Sequence, residues 1–209
     1  MPQSQPSNRA SGLSRPLDRC VTAPMILLRH GQSAFNAHFT ATRIDPGIPD
    51  PELTQLGHEQ ARAAADALRH EGLRRIVVSP YTRALQTAAP IAERLGLPVA
   101  VHLGVRERYA FSCDVGSPRD DLAAAFPNHD FSALDEVWWP AVEEPAGDVV
   151  ARAARFRAEM AALPDWRHTL VVCHWGFIMS LTGISMKNGD WMRYDPTEPA
   201  PEAISWKVG

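Results

Sequence analysis

The sequence predicts an α/β fold: a three-layer sandwich with a mostly parallel central sheet flanked by helices, interrupted by an irregular cap insertion. Two observations carry this. Short apolar runs of strand length alternate with segments whose apolar residues recur at helical spacing. The breakers between them, Gly and Pro above all, fall where each run should stop.

Taken in order, "MILL" from Met25 reads as the first strand. In "LTQLGHEQARAAADALRHEG" the residues Leu53, Leu56, Ala61, Ala64 and Leu68 fall on one helical face, with Thr54 as N-cap and Gly72 as the stop. "RIVVSP" gives a second strand closed by Pro80, residues 81–95 a second helix through Leu85, Ala88, Ala92 and Leu95, and "LPVAVH" a third strand. Between Arg106 and Gly147 regularity fails, and Pro118, Pro127, Pro140, Pro145 and the pair Trp138–Trp139 mark a cap, about residues 108–147, within one domain spanning 25–209. The tryptophans are expected to hold that cap down more than to serve as a lid over substrate. "DVVARAARFRAEMAAL" restores helical period, "HTLVVCH" is a fourth buried strand, and "GFIMSLTG" a short helix. The tail "WMRYDPTEPAPEAISWKV" predicts a hairpin at the sheet edge, its prolines confined to the connection.

The 209 residues, 45% of them hydrophobic, suffice for one well-filled core. Charges nearly balance, 21 basic against 24 acidic, and the basic residues form no tract, which argues against nucleic-acid or membrane-surface binding. No apolar run approaches the ~20 residues of a spanning helix. Residues 1–24, rich in Pro, Ser and Arg and lacking an apolar signal core, are expected to be a disordered extension, and Met25 would make an equally good start. Cys20, Cys113 and Cys173 are odd in number and widely spaced, so neither a disulfide framework nor a zinc knuckle is expected, and a reducing cytoplasm is the simplest setting.

In open α/β sheets ligands bind beyond the carboxyl ends of the strands. There stand Arg29, His30 and Gly31 after the first strand; Ser79, with Arg83 one turn on, after the second; Arg106 and Glu107 after the third; His174 and Gly176 after the fourth. Arginine grips phosphate oxygens in pairs and stays charged, and a neutral imidazole is a nucleophile at pH 7. A phosphate dianion is the ligand this set suits, with Gly31 expected to let backbone N–H groups approach it. Read differently, His30, Glu107 and His174 resemble a two-histidine, one-carboxylate metal site, but Arg29 and Arg83 would set positive charge beside the cation.

The blocks "LLRHGQSAFN", "DPELTQLGHEQA", "VSPYTRALQTA", "VRER" and "VVCHWGF" occur in the order found in the histidine phosphatase superfamily, which includes the cofactor-dependent phosphoglycerate mutases. The chain resembles that family over about residues 25–183. The resemblance implies that His30 is the residue phosphorylated, that Arg29, Arg83 and a protonated His174 bind the phosphoryl group, and that Asn36 helps close the pocket. It sets Ser33 near the phosphate and Glu107 as the acid that protonates the leaving oxygen, with Asp114 as competitor. It implies no cofactor and no metal, and a small phosphorylated metabolite as partner. The oligomeric state stays open. After Asn36 the Gly-Trp-x-Asp pattern of mutases is missing and "ERYAFSCDVG" departs from their Glu-Arg-His-Tyr-Gly block, so hydrolysis is expected over mutase-type transfer or a non-catalytic phospholigand-binding role.

Overall fold

The computed structural model describes residues 24–204 and 206; the proposed extension 1–24 lies outside these but for its last residue. Five strands form one sheet, β1 (Met25–Arg29), β2 (Arg75–Val78), β3 (Val99–Val101), β4 (Thr169–Cys173) and β5 (Trp191–Tyr194), in the order β3-β2-β4-β1-β5. All pairings are parallel except β1 with β5. The helices are α1 (Ala34–Thr42), α2 (Gln55–Ala67), α3 (Thr82–Leu95), α4 (Arg119–Ala125), α5 (Ala146–Ala162) and α6 (Trp175–Thr182).

β1 and β4 are buried on both faces, which is why they read as unbroken apolar runs. Ile26, Leu28, Ile76, Val78, Leu170 and Val172 face one core layer with Ala64 and Leu68 of the α2 segment and Leu85, Ala88 and Ile91 of α3. Met25, Leu27, Val77, Val171 and Cys173 face the other, against Ala153, Phe156 and Met160 of α5 and Phe177 and Ile178 of α6. Alternate side chains thus feed the two helical layers, as the pleat requires.

Thr54 caps α2, its hydroxyl accepting from the Gly57 N–H at 3.1 Å. Leu56, expected in the core, is instead 47% exposed; the buried face runs through Gly57, Ala61, Ala64, Ala65 and Leu68. α3 continues through Pro90, held by its buried stripe although the proline supplies no N–H. Two helices fall where none was expected, α1 after the first strand and α4 inside the irregular stretch, and α5 opens at Ala146, one residue before the expected end of the cap. The tail supplies one edge strand, β5, and not a hairpin: among the described residues no partner strand follows it. Trp138 is the anchor expected of it, packed edge-on against Tyr81 at 4.7 Å between centroids and donating from Nε1 to the Ser117 carbonyl at 2.9 Å.

Candidate active site

Arg29 pairs with Cys173 in the β1–β4 register, so the next residues, His30 and His174, leave the sheet side by side. Their ring centroids are 5.0 Å apart, and both rings are buried. The His30 N–H donates to the Cys173 carbonyl at 3.0 Å, which fixes where the ring starts from. His30 Nδ1 lies 2.7 Å from the Gly31 carbonyl, which can only accept, so Nδ1 carries the proton and the lone pair of the neutral ring stays on Nε2. Burial first, then the guanidiniums of Arg83 and Arg29, hold the His30 pKa well below the ordinary histidine value.

The His174 pKa is lowered well below the ordinary histidine value in the same way, by burial and then by Arg83, His30 and Arg29, so a proton on this ring needs an anion beside it. Its Nε2 shares a hydrogen bond of 2.7 Å with Ser79 Oγ, and its buried Nδ1 has no partner among the described residues.

Arg29 donates to the Met186 carbonyl at 2.6 Å, and burial pushes its pKa down to about 10, leaving it charged at neutral pH. Arg83, near the start of α3, is 2% exposed; it donates to the Cys113 carbonyl at 2.7 Å and to Asp114 at 3.2 Å. Its guanidinium lies 4.3 Å over the Tyr81 ring, and the Tyr81 hydroxyl donates to the Asp114 carbonyl at 2.5 Å.

The two carboxyls differ in their surroundings. Asp114 accepts from the N–H groups of Ala110 and Phe111, both at 3.0 Å, and is ion-paired with Arg83. Those contacts oppose the rise that burial imposes on it. Among the described residues Glu107 forms no ion pair: it accepts from the Arg108 N–H at 2.8 Å and the Gly176 N–H at 3.1 Å. Burial, then the charge of Asp114, raises its pKa above the ordinary carboxyl value. A Cβ at Gly176 would stand 2.5 Å from Glu107 Oε1, so any larger residue here would push the carboxyl from this position.

Gly31 serves a packing purpose that the sequence does not show. Its N–H is committed to Thr87 Oγ1 at 3.0 Å, and a Cβ would lie 2.5 Å from the Gly57 carbonyl oxygen. The glycine lets the β1–α1 turn press against α2, with Gly57 as the reciprocal small residue. Ser33 is also committed: it is the N-cap of α1 and forms a capping box with Asn36. Asn36 Oδ1 accepts from Ser33 and, at 3.1 Å, from Asn188 Nδ2, which leaves the Asn36 amide N–H groups for a ligand. Arg106 belongs to Glu144, with bonds of 2.6 and 2.9 Å, and is no part of the phosphate-facing set.

Four residues of the site's framework escaped the sequence reading: Tyr81, Thr87, Asn188 and Arg152. The first two lie within the quoted block "VSPYTRALQTA", where helical spacing from Arg83 to Thr87 was the available signal. Asn188 donates to the His30 carbonyl at 3.2 Å from a loop without periodic pattern, so nothing local points to it.

Two buried imidazoles with lowered pKa, the guanidiniums of Arg83 and Arg29 that help lower them, and a carboxyl with a raised pKa gather beyond the strand exits of an α/β fold. A model of the histidine phosphatase superfamily (branch 1) matches residues 25–199, and the chain belongs to that family. Glucosyl-3-phosphoglycerate phosphatase of Mycobacterium tuberculosis (strain ATCC 25618 / H37Rv) is 33% identical over 172 residues, covering 78% of this chain and 75% of the relative. The native structure of a mycobacterial glucosyl-3-phosphoglycerate phosphatase superposes with a TM-score of 0.58 at 30% identity, covering 81% of this chain and 88% of that one. A 2,3-bisphosphoglycerate-dependent phosphoglycerate mutase of Methylobacterium sp. (strain 4-46) is 43% identical, but over 76 residues that span 35% of either chain. The long matches are thus to phosphatases, and the protein is a phosphatase of this superfamily.

Proposed function

We propose that this phosphatase is a metal-independent phosphomonoesterase that acts through a phosphohistidine at His30. The observation that carries the reading is the tautomer of His30 set by the Gly31 carbonyl, which leaves Nε2 unprotonated, with burial and then Arg83 and Arg29 keeping the ring neutral. In the first displacement Nε2 forms a bond to phosphorus while the ester P–O bond breaks, and the departing oxygen takes the proton of Glu107. In the second, water attacks phosphorus, the P–N bond breaks, and Glu107, now ionised, takes a proton from the water. Arg29, Arg83 and His174 hold the equatorial oxygens, His174 gaining its proton only when the dianion is present. Asn36 adds its amide, while Ser33 and Gly31 act through the turn they build.

Glu107 is favoured over Asp114 as the acid because Asp114 is tied to Arg83. Glu107→Gln is expected to lower kcat/KM on alkyl phosphates about 10²-fold more than on p-nitrophenyl phosphate, whose leaving group needs no proton. Equal losses on both would remove Glu107 from the role.

The substrate is read as a small phosphorylated metabolite of the sugar or glycerate kind, on the strength of the phosphatase relatives, with segment 108–147 selecting the leaving group. Balanced charge supports a role without nucleic acid or membrane, no helix among the described residues is long and apolar enough to cross a membrane, and the buried free thiols of Cys113 and Cys173 fit a reducing cytoplasm. A panel of phosphomonoesters that includes glucosyl-3-phosphoglycerate and 3-phosphoglycerate, run with and without EDTA, tests this. Release of inorganic phosphate unaffected by chelator is expected. Chelator-sensitive turnover, or conversion of 3- to 2-phosphoglycerate outpacing phosphate release, would contradict it.

A further inference from the structure

Glu107 stands beyond a 3₁₀ turn (Leu103–Val105) and outside every strand, so the sheet does not fix it. A buried cluster of charges grips its backbone instead. Glu144 accepts from Arg106 at 2.6 and 2.9 Å and from Arg152, on α5, at 2.9 and 3.2 Å. The remaining donors of Arg152 go to three carbonyls of one short segment: Gly104 at 2.9 Å, Arg106 at 2.8 Å and Glu107 itself at 3.3 Å. Arg106 adds a second bond to the Glu107 carbonyl at 3.1 Å. On its other side the Arg152 guanidinium lies 5.7 Å over the ring of Phe177, whose α6 neighbour Gly176 donates to the Glu107 carboxylate.

Burying two guanidiniums and a carboxylate is a poor way to gain stability, since well-packed apolar residues commonly do as well. What a charge cluster supplies and an apolar patch does not is direction: here every donor of Arg152 is aimed at Glu144 or at the peptides leading to Glu107. We propose that Arg152, oriented by Glu144, is a positioning residue for Glu107, setting the backbone from which the carboxyl reaches the departing oxygen. The inference rests on the reading of Glu107 as general acid. Displacing an acid by about an ångström costs up to ~10²-fold in a step that needs its proton and little in a step that does not.

The test is kcat/KM of the full chain, which reports on ester cleavage as the first irreversible step, on p-nitrophenyl phosphate and on an alkyl phosphate. Wild type is compared with Arg152→Met, Arg152→Lys and Glu144→Gln, with Glu107→Gln as reference and thermal melts for each. The Arg152→Met protein is expected to lose about 10–100-fold more on the alkyl ester than on the aryl ester, in the same sense as Glu107→Gln. Arg152→Lys should recover only part, because one ammonium cannot reach three carbonyls and Glu144 together. If Arg152→Met does not fold, Glu144→Gln, which keeps the shape of the cluster, is read in the same way. Selectivity in Glu107→Gln together with equal losses on both esters in the cluster variants would overturn the positioning role alone. Loss of selectivity in Glu107→Gln itself would overturn the acid assignment, and this inference with it.

Discussion

The exits of β1 and β4 and the exit of β3 deliver chemistry to the same place by different means. His30 and His174 are set by parallel-strand register and a backbone bond, in a layer where neighbouring side chains are wholly buried. Glu107 is set by side chains, through a charge cluster and two backbone N–H groups. A nucleophile placed by a sheet moves only if the sheet moves. An acid placed by a network can be shifted by one substitution at a distance, which makes the β3 exit the adjustable part of the site.

The largest expected effect breaks the sheet-placed half. His30→Ala should lower kcat by about 10⁴-fold or more on every substrate, since it removes the nucleophile of the proposed reaction. Full-turnover assays with good and poor leaving groups check it, and equal loss on both distinguishes this end from the Glu107 end. Next comes Arg83→Met, which removes a proposed phosphate ligand and leaves the Asp114 carboxylate buried without its partner. A stability loss of about 3–5 kcal/mol by denaturant titration should accompany the loss of activity. On the capping side, Trp138→Ala removes an indole that fills the space beside Gly116 and packs on Tyr81. It should cost about 3–5 kcal/mol, with residual activity once the fold is maintained at low temperature.

The smallest effect concerns pH. His30 and His174 stay neutral in the native state while unfolded histidines protonate near ~6.5. Below that value the unfolded chain binds more protons than the native one, so stability falls as pH drops. Each such group contributes about 1.4 kcal/mol per pH unit at the limit. Replacing His174 by Gln should flatten the slope of unfolding free energy against pH below about 6.5.

How far the sequence reveals this depends on the physics of each part. The buried strands and the amphipathic helices α2, α3 and α5 were legible because burial imposes period. The convergence of Arg29, His30, Arg83 and His174 followed from strand ends in a parallel sheet. The packing of Gly31 was not legible because close approach to Gly57, 26 positions away, is a tertiary fact that no local pattern contains. Helix α1, with nine residues and a single buried side chain, Phe35, shows no amphipathic stripe; its capping box was the signal present and unread. The Arg106–Glu144–Arg152 cluster joins residues 38 and 8 apart, and charge pairing across such gaps has no period to follow. The lowered pKa of His174 comes from its burial and then from the neighbouring charges, which only the folded arrangement defines.

The central claim is a covalent bond between phosphorus and His30 Nε2. Quenching the enzyme in alkali during turnover of a phosphomonoester and mapping peptides by mass spectrometry should find phosphate on the peptide containing His30 in wild type and not in His30→Ala. Continued hydrolysis with position 30 unlabelled at every quench time would contradict the account.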